Sequence, residues 1–134
     1  MTTRSGRCLC GDVTFEYDGP ENWQAYCHCE SCRRSTASPV AAYLGVPEQA
    51  FRFTGKAPSV YRSSPGVRRL FCGRCGTPIA YDADRFDGEI HLYIATLNDP
   101  QNYAPQGHVH EAERLPWFDV KDTLKRYPGS GRSG

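Results

Sequence analysis

The chain has 134 residues, enough for one domain with a single modest core. Sixteen Lys and Arg stand against fifteen Asp and Glu, and no basic block stands out, which argues against a nucleic-acid partner. The opening Met1-Thr2-Thr3-Arg4-Ser5-Gly6 has no apolar core for a signal peptide, and no apolar run approaches the ~20 residues of a membrane helix, so a cytoplasmic protein with no membrane partner is expected.

Residues 7–17 alternate, with Val13, Phe15 and Tyr17 against Asp12, Thr14 and Glu16, which predicts a half-buried strand after Cys8 and Cys10. Gly19 to Asn22 reads as a turn, Trp23 to Cys29 as a second strand, and Arg33 to Thr36 as one helical turn ahead of Pro39. Val40 to Val46 is a short apolar strand followed by a helical turn at Pro47 to Ala50. Phe51 to Thr54 and Ser59 to Arg62 are short strands, and Val67 to Phe71 leads into Cys72. Further strands are expected at Thr77 to Tyr81, Ile90 to Ala95 and Gly107 to His110. Asp119 to Tyr127 is the best helix candidate, and Pro128 to Gly134 reads as a flexible tail. Short strands, frequent Gly and Pro and little helix predict an all-β single domain over residues 1–127, with the tail at 128–134.

Seven cysteines fall into three groups. In Cys27-His28-Cys29-Glu30-Ser31-Cys32, strand alternation puts Cys27 and Cys29 on one face and His28 on the other, and the two-residue spacer to Cys32 is that of a metal knuckle. Three thiolates can hold a zinc ion and leave its fourth position open, which separates catalytic from structural zinc. Cys8 and Cys10, followed by Gly11, and Cys72 and Cys75, followed by Gly76, together supply the four sulfurs of a closed tetrahedral site. Spacing leaves open a second pairing, in which Cys8 and Cys10 join Cys27 and Cys29. A reducing compartment and an odd cysteine count argue against disulfides, and neither Cys-x-x-Cys sits between a strand and a long helix as a thioredoxin-type motif would.

Alternatives surround the triad. A fourth protein ligand would make it a second structural site, and weak binding would make it vestigial. His28 reads as a core residue rather than a ligand, and His108 and His110 as one face of a solvated strand. Arg33 and Arg34 either neutralise an anionic site, grip a substrate carboxylate, or form a solvated pair. Tyr43, Tyr93 and Trp117 are core or pocket wall.

The combination Gly6-x-Cys8-x-Cys10-Gly11, Cys27-His28-Cys29-x-x-Cys32-Arg33-Arg34 and Phe71-Cys72-x-x-Cys75-Gly76-Thr77 resembles the glutathione-dependent formaldehyde-activating enzyme family, which includes the centromere protein V group. His108-x-His110 and Leu115-Pro116-Trp117-Phe118 extend the resemblance, which runs over residues 6–126. It implies an Mss4-like β-tent fold with two zinc ions per chain: a structural zinc on Cys8, Cys10, Cys72 and Cys75, and a catalytic zinc on Cys27, Cys29 and Cys32. It also implies a carbon–sulfur lyase of the S-(hydroxymethyl)glutathione synthase type, with glutathione or a similar thiol and formaldehyde or another small aldehyde as partners. The chain is shorter than the best-known member, so the alternative is a non-catalytic zinc module that binds a thiol metabolite or a protein partner.

Overall fold

Alternating segments punctuated by Gly and Pro fold into two sheets in the computed structural model, which describes residues 2–131. In chain order the elements are β1 (Thr3–Arg7), β2 (Thr14–Asp18), β3 (Trp23–Cys27), α1 (Glu30–Thr36), β4 (Ala41–Pro47), β5 (Phe51–Phe53) and β6 (Ser59–Ser64). They continue with β7 (Val67–Phe71), β8 (Pro78–Ala83), β9 (Glu89–Tyr93), β10 (Gly107–Val109) and β11 (Lys125–Arg126). A small antiparallel sheet has the order β1-β2-β5, and a large one the order β11-β10-β3-β4-β9-β8-β7-β6. The large sheet is antiparallel except where β10 runs parallel to both β3 and β11. This is the all-β architecture expected, and α1 is the one α-helix among the described residues.

Period-two alternation gives the large sheet two different faces. Leu44 pairs with Leu92 and Val46 with Ile90, and these pack with Phe15 and Tyr17 of the small sheet into the main core. Each such side chain contributes roughly 1.5–3 kcal/mol through burial. One residue out of step, Tyr43 pairs with Tyr93 on the opposite face, where they pack with Cys27 and Cys32. The core therefore occupies one face of the sheet and the cysteine triad the other.

Two differences from expectation stand out. The polar run Thr3–Arg7 pairs residue by residue with β2, and its pairing rather than any alternation of its own makes it a strand. The helix expected at Asp119 to Tyr127 is absent, and only Lys125–Arg126 is regular. Asp122 explains this: its carboxylate accepts from the Leu124 amide at 3.0 Å and bonds His108 at 2.9 Å. Arg126 reaches back to the Val120 carbonyl at 2.7 Å. These side-chain bonds tie the segment to β10 and override its modest helix propensity. In the stretch expected as a tail, the Pro128 and Gly129 carbonyls accept the Ala112 and His110 amides at 3.3 and 2.8 Å. Residues 132–134 lie outside the described residues. No helix among those described is long and apolar enough to cross a membrane.

Candidate metal centres

Cys8 and Cys10 lie on the β1–β2 connection, and Cys72 and Cys75 on the β7–β8 turn, yet their four sulfurs fall within 4.8 Å of one another. Cys10 Sγ is 3.7 Å from both Cys8 Sγ and Cys72 Sγ. A disulfide needs ~2.05 Å. A zinc tetrahedron with ~2.3 Å bonds separates its sulfurs by ~3.8 Å. The spacing fits a metal ion and excludes a disulfide. Backbone amides complete the knuckles: Val13 donates to Cys8 Sγ at 3.3 Å, and Arg74 and Cys75 each donate to Cys72 Sγ at 3.4 Å. Gly11 and Gly76 take φ of +86° and +81° where the chain turns, a conformation that strains any side chain. The Thr77 hydroxyl and amide, with the Cys10 amide, hold the Cys75 thiol down at about 5. Cys8 and Cys10 thus gather with Cys72 and Cys75 rather than with Cys27 and Cys29.

The second set is local. Cys27 ends β3, and Cys29, still extended at φ −65° and ψ 152°, caps the N-terminus of α1. Its sulfur accepts the Cys32 amide at 3.3 Å, and the first helical turn brings Cys32 Sγ to 3.4 Å from Cys27 Sγ. The three sulfurs lie within 4.8 Å of one another, and no fourth His, Cys, Asp or Glu among the described residues joins them. Hydrogen bonds from Cys27 and Cys32 hold the Cys29 thiol well below its ordinary value, and the same contacts push Cys27 up. The Tyr43 hydroxyl lies 3.4 Å from Cys32 Sγ and 2.8 Å from the Tyr93 hydroxyl. Tyr43 and Tyr93 are therefore buried walls of the triad, whereas Trp117 is 73% exposed and takes no part.

The triad opens on a cavity of about 780 Å³ over one face of the large sheet. The register builds its floor: Trp23, Gly45, His91, Tyr81 and Arg69 stand in one row across β3, β4, β9, β8 and β7. Trp23 lies across Gly45, where a Cβ would come within 2.6 Å of the indole, and meets His91 edge-on at 4.6 Å. Glu89 accepts from Trp23 at 3.1 Å and from Asn22 at 2.7 Å, and it bonds His91 at 2.8 Å. Burial alone would raise the Glu89 carboxyl, but these donors outweigh it and bring it to about 2. Glu89, Tyr81 and Arg69 carry no short-range signal in the sequence, and His91 carries only its strand face. The strand alternation at Ile90 to Ala95 does place His91 opposite the apolar residues, and this was the available signal.

Arg33 and Arg34 do not line this cavity. Arg33 donates to the His28 carbonyl at 3.1 Å, and Arg34 is 78% exposed and paired with Glu30. Both border a groove with Trp117 on the far side of α1. His28 and His108 are both fully buried, so the solvated strand expected for His108 is replaced by a polar interior. His28 Nε2 lies 2.8 Å from His108 Nδ1, and His108 Nε2 donates to Asp122 at 2.9 Å. The short N–N distance is that of a hydrogen bond, and Glu111, paired with Arg114 and Arg126, lies 3.6 Å from His28 Nε2, so that His28, His108 and Glu111 gather as a third, buried set with ligand atoms within 4.8 Å of one another. His110 alone of the pair reaches the cavity wall.

Two sheets and two gathered cysteine sets define a small all-β domain in which each cysteine set is a candidate metal site. The family model of the glutathione-dependent formaldehyde-activating enzyme matches residues 3–113, and the chain belongs to that family. It is 30% identical over 81 residues to an uncharacterized lyase of Schizosaccharomyces pombe, an alignment covering 60% of this chain and 58% of that one. The match thus spans little more than half the length of that relative. A crystal structure of a Rhodobacter sphaeroides protein shares the fold, with a TM-score of 0.60 at 17% identity, covering 92% of this chain and 98% of the other.

Proposed function

We propose that the protein is a zinc-dependent carbon–sulfur lyase acting on a thiol–aldehyde adduct, as S-(hydroxymethyl)glutathione synthase does, with two zinc ions per chain. The observation that carries this reading is the open triad: three convergent thiols, no fourth protein ligand among the described residues, and a cavity beside them. Cys8, Cys10, Cys72 and Cys75 would hold a structural ion, and Cys27, Cys29 and Cys32 a catalytic one. A zinc ion held by Cys27, Cys29 and Cys32 would supply Lewis acidity that favours the thiolate form of an incoming thiol.

The protein's own groups do the rest. The cavity, at about 780 Å³, falls in the range of small-molecule sites and has room for a tripeptide thiol such as glutathione beside a small aldehyde. Tyr43, fixed between Cys32 and Tyr93, orients the triad and excludes water from its rear. The thiolate sulfur attacks the aldehyde carbon, the carbonyl π pair moves to oxygen, and that oxygen takes a proton. The reverse sequence releases thiol and aldehyde. Seven unpaired thiols suit a reducing cytoplasm.

Exchange spectroscopy between free formaldehyde and its glutathione adduct tests the proposal. The wild type is expected to accelerate exchange above the uncatalysed rate, and Cys29→Ser to lose the acceleration while keeping its melting temperature. Full turnover in Cys29→Ser would contradict the mechanism. Glutathione binding without acceleration would make the protein a non-catalytic thiol-binding module.

A further inference from the structure

β7 carries two adjacent arginines with opposite surroundings. Arg68 points to one face and is neutralised twice, by Asp82 at 3.0 Å and Asp84 at 3.0 Å. Arg69 points to the other face, half-buried in the wall of the triad's cavity, and pairs with no carboxylate among the described residues. Neutral groups hold it instead. Its Nε donates to the Ser63 hydroxyl at 3.3 Å, its terminal nitrogen donates to the Ser35 hydroxyl at 3.2 Å, and the guanidinium stacks over the Tyr81 ring at 5.0 Å. Ser35 lies three residues beyond Cys32 on α1, so this anchor sets the guanidinium beside the triad.

A guanidinium cannot shed its proton, and a charge withdrawn from water without a counter-ion is costly. Holding it rigidly by hydroxyls and a ring leaves its field unspent and its remaining N–H donors fixed in direction. This is the arrangement of a preorganised anion receptor. Three thiolates around a divalent ion already carry net negative charge, and a bound substrate thiolate adds another. The carbonyl oxygen next gains charge in the same space. The cavity therefore needs a fixed cation beside the triad, and Arg69, alongside Tyr43 and the α1 turn, meets that need.

We propose that Arg69 is a catalytic residue that binds the aldehyde oxygen as it becomes an alkoxide. This rests on the thiol–aldehyde reading of the site. As the C–S bond forms from the sulfur lone pair, the C=O π pair moves onto oxygen and is met by guanidinium N–H donors. The alkoxide then takes a proton from water, balancing the one the thiol released. In the reverse direction the hydroxyl loses its proton, the C=O π bond re-forms and the C–S pair returns to sulfur. The substrate end recognised here is the small oxygen-bearing carbon, and the rest of the thiol extends along the aromatic floor of Trp23, Tyr81 and His91.

Formate, a one-carbon anion with oxygens where the alkoxide would lie, is the probe. In Arg69→Met, kcat for adduct formation is expected to fall about 10²–10³-fold, the usual cost of one lost oxyanion donor. Zinc content, melting temperature and the calorimetric Kd for glutathione stay at wild-type values, and inhibition by formate disappears. Arg69→Lys recovers part of the rate, and added guanidinium ion restores part of it to Arg69→Met. Unchanged kcat in Arg69→Met would overturn the proposal, as would a loss residing wholly in glutathione Kd. If the wild type turns over no thiol–aldehyde pair, the lyase reading fails by itself. Arg69 is then judged on the formate-induced shift of its Nε–H resonance in the wild type, which supports an anion receptor if present and overturns one if absent.

Discussion

The two cysteine sets use one kind of side chain and differ in everything around it. The four-thiol set joins residues 62 positions apart, from Cys10 to Cys72, and links the β1–β2 connection to the β7–β8 turn. Backbone amides, among them those of Val13, Arg74 and Cys75, donate to its sulfurs. The three-thiol set spans six residues, takes a single amide from Cys32, and faces a tyrosine hydroxyl and a cavity. A site closed by backbone from two sheets can stabilise the fold. A site gathered at one strand end and one helix start leaves a position for something else. Long-range closure suits the proposed structural role, and local openness the proposed chemical one.

The largest effect is expected on the closed side. Cys72→Ser removes one of the four sulfurs that would hold a metal ion between the sheets. Structural zinc binding is worth on the order of 10 kcal/mol, comparable to the whole stability of a small domain. The variant is therefore expected to be unfolded at 25 °C by circular dichroism, and a wild-type melting curve would erase the distinction between the two sets. On the open side, Tyr43→Phe keeps the ring packed 4.5 Å from Tyr93 but removes the hydroxyl next to Cys32. Chelator competition is expected to show about 10-fold weaker metal binding at the triad alone. An equal loss at both sites would contradict the assignment.

Glu89 tests the cavity floor away from either metal set. Its carboxyl is depressed from 4.5 to about 2, so its contribution to stability is present above the ordinary value and lost as pH falls through the depressed one. Glu89→Gln is expected to lose about 1–2 kcal/mol at pH 7 in urea unfolding, with the gap to wild type closing toward pH 2. A gap constant with pH would mean the carboxylate charge plays no part. The smallest effect belongs to Arg34→Ala. That side chain is 78% exposed and, among the described residues, its ion pair is with Glu30, so stability should move by less than about 0.5 kcal/mol and turnover not at all.

Much of this was legible in the sequence because cysteine spacing is a short-range signal. Cys27, Cys29 and Cys32 assemble within one strand end and one helical turn, and the knuckle glycines announce the closed set. The short strands were legible where alternation was clean, as in Phe15 to Tyr17 and Ile90 to Tyr93. What stayed hidden depends on register. Arg69 sits beside the triad because β7 pairs with β8 in the register that sets Arg69 against Tyr81, and because Ser35 on α1 receives it. A chain read in order favours Arg33 and Arg34, which are nearer in sequence and face away. Residues 119–127 misled for the same reason, since the partners of Asp122 and Arg126 lie on β10 and at Glu111.

Zinc content per chain, in protein purified without chelator, tests the division between the two sets most directly when wild type and Cys29→Ser are compared. The predicted result is two zinc ions falling to one, with the melting temperature preserved. One ion in both proteins, or two retained in Cys29→Ser, would contradict an occupied open site built on that triad.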